Sequence, residues 1–396
     1  MEAEGKDLPL ETMALQMGPS HPATHGTIKF NLKLEGEKVL DCDVEVGYLH
    51  RGFQKSCEQA TWTQVVPYTD RLNYASPLIN NFAYVMAVEK LIGIEPPVRC
   101  QFIRVIMSEL SRIFDHLTCC GMAASELGAI TAGFYMIEAR ELVMRLTETV
   151  TGARLTVTYG RIGGVKHDLP YQFAEQVQEV FRKIRSILND CDRLLARNRI
   201  FIDRMSNVGV ISRENALSYS LTGPILRSTG VDYDVRKAQP YLLYDQMDFA
   251  VPLGSRGDNY DRFVCRVQEI EQSMRIVEQA LKKLPPGSIA IEDPRFILPQ
   301  KEKVYNSIEG LMDHFKIIME GIKVPPGETY FAVEGANGEL GFYVVSDGSG
   351  KPYTLRVRPP CFIAMAAFAE MIRGYMIPDI VTTFGMINMI GGECDR

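Results

Sequence analysis

The chain has nine cysteines but no C-x-x-C pair among them. They stand at 42, 57, 100, 119, 120, 191, 265, 361 and 394, and the only close two, Cys119 and Cys120, are adjacent. Such spacing suggests neither a disulfide framework nor a zinc or iron–sulfur site, so reduced thiols in a cytoplasmic protein are the expectation. No apolar run reaches the roughly 20 residues that span a bilayer. The nearest, Phe362 to Ile377, is interrupted by Glu370 and Arg373, which predicts a soluble or membrane-peripheral protein. No long basic block accompanies the net charge of −6, and this argues against a dedicated nucleic-acid binder. Residues 1 to 12 are acidic and polar and lack the apolar centre of a secretory signal. A dinucleotide fingerprint, H-E-x-x-H and G-x-S-x-G are all missing, so any redox role must borrow its electron carrier from another subunit. Gly348-Ser349-Gly350-Lys351 is not a phosphate loop, because the first glycine of that spacing is absent and Pro352 follows the lysine.

What remains is an ordinary globular composition, 46% apolar and 23% charged over 396 residues, enough for a substantial core in two or three layers. Residues 12 to 48 read as antiparallel strands. Thr27 to Leu34 alternates apolar and polar, and Glu35-Gly36-Glu37-Lys38 is a hairpin turn into Val39 to Val46. Beyond residue 55 the pattern turns helical, most clearly over 98–120, 134–151, 170–197 and 259–284. In the third stretch Phe173, Val177, Val180, Ile184, Ile187, Cys191 and Leu194 form one apolar face. In the fourth the face is Phe263, Val267, Ile270, Met274, Val277, Leu281 and Leu284, backed by Glu269, Gln272 and Glu278 as its polar side. These stripes read as bundle core. Pro285-Pro286-Gly287 stops the last helix, and Thr329–Val333, Leu340–Ser346 and Tyr353–Val357 read as strands. The predicted fold is α+β in one unit: an N-terminal β region (1–54), a long-helix bundle (55–285) and a β-rich α+β region (286–396). No internal repeat or low-complexity linker interrupts it.

Two of the six histidines fall in one loop, Gly18-Pro19-Ser20-His21-Pro22-Ala23-Thr24-His25-Gly26, at the rim of the predicted sheet. Glycine and proline at both ends mark it as irregular, a usual place to mount reactive groups. Taken alone, the two imidazoles leave metal binding, structural hydrogen bonding and proton chemistry open.

That loop, with Gly47-Tyr48-Leu49-His50-Arg51-Gly52, resembles the opening of the 49-kDa subunit family of respiratory complex I, the proton-pumping NADH:quinone oxidoreductase. The resemblance continues in order through Asp70-Arg71-Leu72-Asn73-Tyr74-Ala75-Ser76-Pro77, Leu127-Gly128-Ala129, Leu221-Thr222-Gly223-Pro224 and Gly257-Asp258-Asn259-Tyr260-Asp261-Arg262. It closes with Glu339-Leu340-Gly341 and Gly392-Glu393-Cys394-Asp395-Arg396. Each motif is weak alone, and the full set in order is specific. The family is similar in turn to nickel–iron hydrogenase large subunits. Here the two cysteine pairs that would hold nickel are gone, at Arg71 to Ser76 and around Asp379, which removes the thiolates a soft-metal site needs.

The resemblance implies a hydrogenase-like fold whose emptied pocket takes a quinone headgroup, ubiquinone or menaquinone, with no cofactor bound by this chain alone. Tyr74 and His25 would hydrogen-bond the two carbonyls, and His21 and Glu126 would support them. Donors at those positions stabilise the charge that builds on both oxygens. For His21 a purely local hydrogen bond is the competing role. Family members commonly carry aspartate where Glu126 stands, so the charge is kept with a longer reach. Arg51 would lie near a terminal [4Fe–4S] cluster carried by a small partner subunit, the alternative being an ordinary interface ion pair. Thr156 stands where many members have a histidine near that cluster, which predicts a cluster potential less dependent on pH and favours a low-potential quinone such as menaquinone. Ile162 replaces a proline often seen in Arg-Pro-Gly-Gly, loosening the rigidity expected of that turn.

The implied partners are that small subunit, other peripheral-arm subunits with FMN and further Fe–S clusters, and a membrane-arm quinone-channel subunit. The implied place is the cytoplasmic face of the bacterial plasma membrane, peripheral to it. Two other readings stay open: a related complex fed by ferredoxin or a reduced deazaflavin, and a non-catalytic hydrogenase-derived scaffold. The retained His25 and Tyr74 argue against the scaffold.

Overall fold

Alternation decides the first layer. The computed structural model describes residues 12–195 and 197–396; the reading of the first eleven residues and position 196 lie outside them. Strands Thr12–Met17, Lys29–Glu35 and Lys38–Glu45 form an antiparallel sheet in that order. Phe30, Leu32 and Leu34 point into the core while Lys29, Asn31 and Lys33 line the other face, as a period of two requires. The turn is made by Gly36 at φ +60°, a left-handed position that glycine occupies without penalty. The buried face packs on the C-terminal helices Pro360–Ile372 and Ile377–Ile387. Phe30 stacks on Phe368 at 4.8 Å and meets the edge of Phe384 at 5.6 Å. The backbone joins too, Val39 N donating to Tyr375 O at 2.8 Å and Ile377 N to Glu37 O at 3.0 Å. The two ends of the chain therefore share one layer.

The four predicted helices are present as Val98–Glu126, Ile130–Thr151, Phe173–Leu195 and Asn259–Lys283. A fifth, Pro77–Ile92, buries every residue from Pro77 to Glu89 and so carries no one-sided stripe for the sequence to reveal. In Phe173–Leu195 the buried positions are Phe173, Val177, Phe181, Ile184, Cys191 and Leu195. Leu194, assigned to the stripe from a 3.5-residue spacing, is exposed. A straight helix runs at 3.6 residues per turn, so the face drifts toward Phe181 and Leu195. One buried apolar cluster links Met17, the long helices and Cys394.

Glu269 is the other correction. Placed by periodicity on the solvated side, it is 1% exposed and belongs to an ionic network between helices. Arg227 Nε donates to its Oε1 at 2.9 Å, and His116 Nε2 lies 2.8 Å from its Oε2. Arg227 Nη1 also donates to Glu334 at 2.7 Å, and Glu109 is held by Arg112 and Arg236 at 3.2 and 3.1 Å. Burial alone would push the Glu109 carboxyl up. The two guanidiniums, with the Ser273 and Tyr244 hydroxyls, outweigh it and hold the group at about 2. Arg112 further donates to Glu334 O and Gly335 O at 2.7 and 2.8 Å, tying the Val98–Glu126 helix to the second sheet.

That sheet comprises Gly327–Gly335, Gly338–Ser346 and Thr354–Arg358, antiparallel, with Asp347 to Lys351 in the turn between the last two. The Ile162 turn is a tight hairpin pinned from outside. Glu89 Oε1 accepts from Gly163 N at 2.6 Å, and Arg104 Nη2 donates to Arg161 O and Gly164 O. A buried arginine and carboxylate thus supply the rigidity that a proline would have given. All nine cysteines are buried free thiols. Among the described residues no helix is long and apolar enough to cross a membrane.

Candidate functional site

The His-rich loop connects the first two strands and folds on its own polar groups. His21 caps the single turn Pro22–Thr24, its Nδ1 accepting from Ala23 N at 3.1 Å. Buried Thr24 donates from Oγ1 to His21 O at 3.0 Å. His25 follows in the left-handed region at φ +50°, where a non-glycine residue is uncommon. This turns its ring toward the end of the Val98–Glu126 helix. There His25 Nε2 lies 3.2 Å from Glu126 Oε1, with the ring edge-on to Phe384 at 4.9 Å. His21 serves the backbone of its own turn, and His25 reaches across the fold.

Glu126 is the last residue of its helix and has room for its longer side chain because residue 385 is glycine. A Cβ on Gly385 would land on Glu126 Oε2. That second oxygen is buried and has no hydrogen-bond partner among the described residues. The sequence flagged Glu126 from its motif but carried no sign of Phe384 or Gly385, which come from a helix over 250 residues away.

Tyr74 lies between the helices Trp62–Thr69 and Pro77–Ile92. Asn73 builds the bend, its Oδ1 accepting from Ala75 N at 3.0 Å and Ser76 N at 3.3 Å, the local bonding that favours asparagine in turns. Tyr74 is 41% exposed, and its hydroxyl has no hydrogen-bond partner among the described residues. Burial of its ring, then the fields of Cys361 and Asp115, push the phenol up, and Arg51 pulls the other way. The hydroxyl therefore stays protonated at neutral pH and is available as a donor.

Two glycines bring the loops together. A Cβ on Gly391 would meet Thr27 Cγ2 at 2.9 Å and Leu49 Cδ2 at 3.0 Å. One on its neighbour Gly392 would strike Arg71 O and lie 2.7 Å from Leu72 O and 3.1 Å from Arg51 Nη2. Thr27 is two residues beyond His25 and Leu72 two before Tyr74, so the turn Gly391–Cys394 is wedged between both loops and the arginine. Arg51 Nη2 also donates to Arg71 O at 2.8 Å. Asp395 fixes the Arg51 segment, accepting from Gly47 N at 2.8 Å and Leu49 N at 2.7 Å.

Thr156 stands apart on an exposed stretch. Its link to the others is indirect, through Thr158, whose N and Oγ1 donate to buried Asp70 Oδ2 at 2.9 and 2.6 Å. The structure thus pairs His25 with Glu126, packs the wedge against Arg51 and against the segments next to His25 and Tyr74, leaves His21 on its own turn, and sets Thr156 one bridge away. A separate apolar cleft lined by Met136, Leu195, Phe201 and Phe263 includes none of these residues.

Comparison with known proteins assigns the lineage. The family described as respiratory-chain NADH dehydrogenase, 49 Kd subunit, matches residues 126–396. The chain belongs to that family. An NADH-quinone oxidoreductase subunit of Sorangium cellulosum is 55% identical over 391 residues, covering 98% of this chain and 97% of that protein. The corresponding NADH-quinone oxidoreductase subunit of Myxococcus xanthus is 52% identical over 389 residues, 98% and 94% of the two chains. An NADH-quinone oxidoreductase protein of Bdellovibrio bacteriovorus, whose name joins two subunits, is 48% identical over 384 residues, 97% of this chain but 69% of that one. In the Bdellovibrio relative the 49-kDa-family sequence thus shares a polypeptide with a second subunit. At 98% of the chain the match to these relatives takes in the His-rich loop and the Tyr74 bend, and the family match runs through Gly391–Cys394.

Proposed function

We propose that this chain is the quinone-site subunit of a proton-pumping NADH:quinone oxidoreductase, active only within the complex. The observation that carries the reading is the His25–Glu126 pair at 3.2 Å, on a loop that the Gly391–Gly392 wedge packs near the segment leading to Tyr74, whose hydroxyl has no hydrogen-bond partner among the described residues. Two donors on opposite loops suit a ligand with two carbonyl oxygens. Reduction of a quinone by two electrons places negative charge on both, and each needs a proton. The Tyr74 hydroxyl is a donor at any physiological pH. His25 is oriented by the Glu126 carboxylate, and an imidazole so placed can deliver a proton and be reloaded.

Electrons would come from a [4Fe–4S] cluster in a small partner subunit, with FMN and further clusters upstream. Arg51, held between Arg71 O and the wedge, is the fixed positive charge on this chain for that cluster's side. A membrane-arm subunit would bring the quinone, and the chain would sit peripherally at the cytoplasmic face of the bacterial plasma membrane. The described chain has no membrane-crossing helix, which is consistent with such a place. The fused Bdellovibrio relative supports a neighbouring peripheral-arm subunit.

The test is Tyr74→Phe in the assembled complex. General acid groups contribute roughly a hundredfold or more, so quinone reduction should fall by about that factor while NADH oxidation by an artificial acceptor upstream persists. Unchanged quinone turnover would refute the role.

A further inference from the structure

The first sheet has one edge closed by the chain itself and one edge open. On the strand Lys38–Glu45, Val39 turns both backbone groups outward. Its N–H donates to Tyr375 O at 2.8 Å and its C=O accepts from Gly374 N at 2.7 Å, so residues 374–377 cover that side. The opposite edge is Thr12–Met17, which pairs with Lys29–Glu35 and with no other strand among the described residues. Val39 stands opposite Leu34, and Leu34 opposite Met13. Because Val39 bonds away from Leu34, Leu34 turns its own backbone groups toward Met13, and antiparallel alternation fixes the rest. Met13, Leu15 and Met17 bond inward. Thr12, Ala14 and Gln16 point N–H and C=O outward, where no group among the described residues meets them.

Edges of this kind are normally defended by charge, proline, a bulge or a covering element. The outer strand of the second sheet, Thr354–Arg358, carries Arg356 and Arg358. Thr12–Met17 reads Thr-Met-Ala-Leu-Gln-Met, with no charge, no proline and no register shift against its neighbour. Its apolar side is also left uncovered toward the start of the strand. Met13 lies opposite fully buried Leu34, on the side that faces the core, yet is 51% exposed. Leu15 is half-buried, and Met17 alone of the three is buried. Unpaired backbone and uncovered apolar surface thus coincide on one line.

We propose that the open edge of Thr12–Met17 is the docking line for the subunit that the Bdellovibrio relative carries on the same polypeptide, which adds a β-strand there and lays an apolar side chain over Met13. This rests on the reading that the chain works within the assembled complex. In strand addition the backbone bonds give affinity and alternate side chains give choice of partner. The fused relative supplies the identity. Its second subunit adjoins a matched stretch that covers 97% of this chain, and so is joined on one side of it or the other. On the Arg396 side the fold is closed. Asp395 is 5% exposed, its carboxylate accepts from Gly47 N and Leu49 N, and the Arg396 guanidinium lies over the Phe362 ring at 4.4 Å. On the Thr12 side the strand is exposed. A module tethered there is held at high effective concentration beside the open edge.

The experiment uses the intact complex in membranes, with a photo-reactive phenylalanine analogue in place of Met13 and the adducts identified by mass spectrometry. The expected adduct joins position 13 to the counterpart of the fused subunit. An adduct with a second copy of this chain, with a different subunit, or with nothing overturns the docking line. Ala14→Pro then tests strand pairing. It removes an outward N–H and no bond to Lys29–Glu35, a place where an edge strand tolerates proline. Under a salt wash it should lower retention of that subunit roughly tenfold, the effect of losing one backbone hydrogen bond and its close fit. Ala14→Val keeps the amide and should retain the subunit as wild type does. Equal retention in Ala14→Pro and Ala14→Val overturns the pairing. If Ala14→Pro fails to fold, the cross-link decides. A chain that copurifies with no redox subunit overturns instead the reading on which the docking line rests.

Discussion

Gly385→Ala offers a substitution that should leave the protein folded and silence the site. A Cβ there would land on Glu126 Oε2 and lie 3.4 Å from Glu126 Cδ. Ordinary contact is about 3.5 Å, so the carboxylate must retreat by about 1 Å. It is the far end of a flexible side chain and can do so, at the expense of the 3.2 Å bond to His25 Nε2. A hydrogen bond to a charged group is worth about 1.5–3 kcal/mol, roughly ten- to a hundredfold in rate if it holds the productive geometry. Misplacement of a reacting group by about 1 Å has a similar cost. Position 385 is inside the helix Ile377–Ile387, where alanine is favoured over glycine by about 1 kcal/mol. Thermal stability of the purified complex should therefore hold or rise while NADH-driven quinone reduction falls ten- to a hundredfold. Glu126→Asp in the same background should restore part of the loss, because the shorter carboxylate clears the methyl. Full turnover in the single variant would refute the pairing of His25 with Glu126 as a working element.

Glu109→Gln should destabilise the chain by about 3 kcal/mol, because Arg112 would be left buried without its carboxylate while Arg236 keeps Asp234 at 2.6 Å; a melting temperature close to wild type would contradict this. The same group fixes an acid limit. Its folded value of about 2 lies below the unfolded value of about 4.3, so its contribution is complete above the unfolded value. It is lost as pH falls toward 2, on the order of 3 kcal/mol in all, which unfolding across that range would measure. Thr156 predicts a terminal-cluster midpoint nearly flat from about pH 6 to 8, with Thr156→His introducing a slope there. Redox titration followed by EPR reads both, and a steep wild-type slope near neutrality would sink the idea.

Periodicity made the sheets and the two striped helices, Phe173–Leu195 and Asn259–Lys283, readable, since burial on one face leaves a mark in the sequence. It failed where burial is complete or ionic. Pro77–Ile92 is buried all round, and Glu269 looked like surface because its partners Arg227 and His116 lie 42 and 153 positions away. The candidate site was legible as motifs, not as a shape. His25, Glu126, Tyr74 and Arg51 could be named from their surroundings in the chain. Nothing in the sequence indicated that Gly391 and Gly392 bring two loops together, or that Gly385 makes room for a carboxylate.

The most direct test of the account is a structure of the intact complex with quinone bound. The account predicts one headgroup oxygen within about 3.2 Å of the Tyr74 hydroxyl and the other within the same reach of His25 Nε2, with the His25–Glu126 pair in place. A headgroup seated away from both, in the Met136–Phe263 cleft for example, would contradict it.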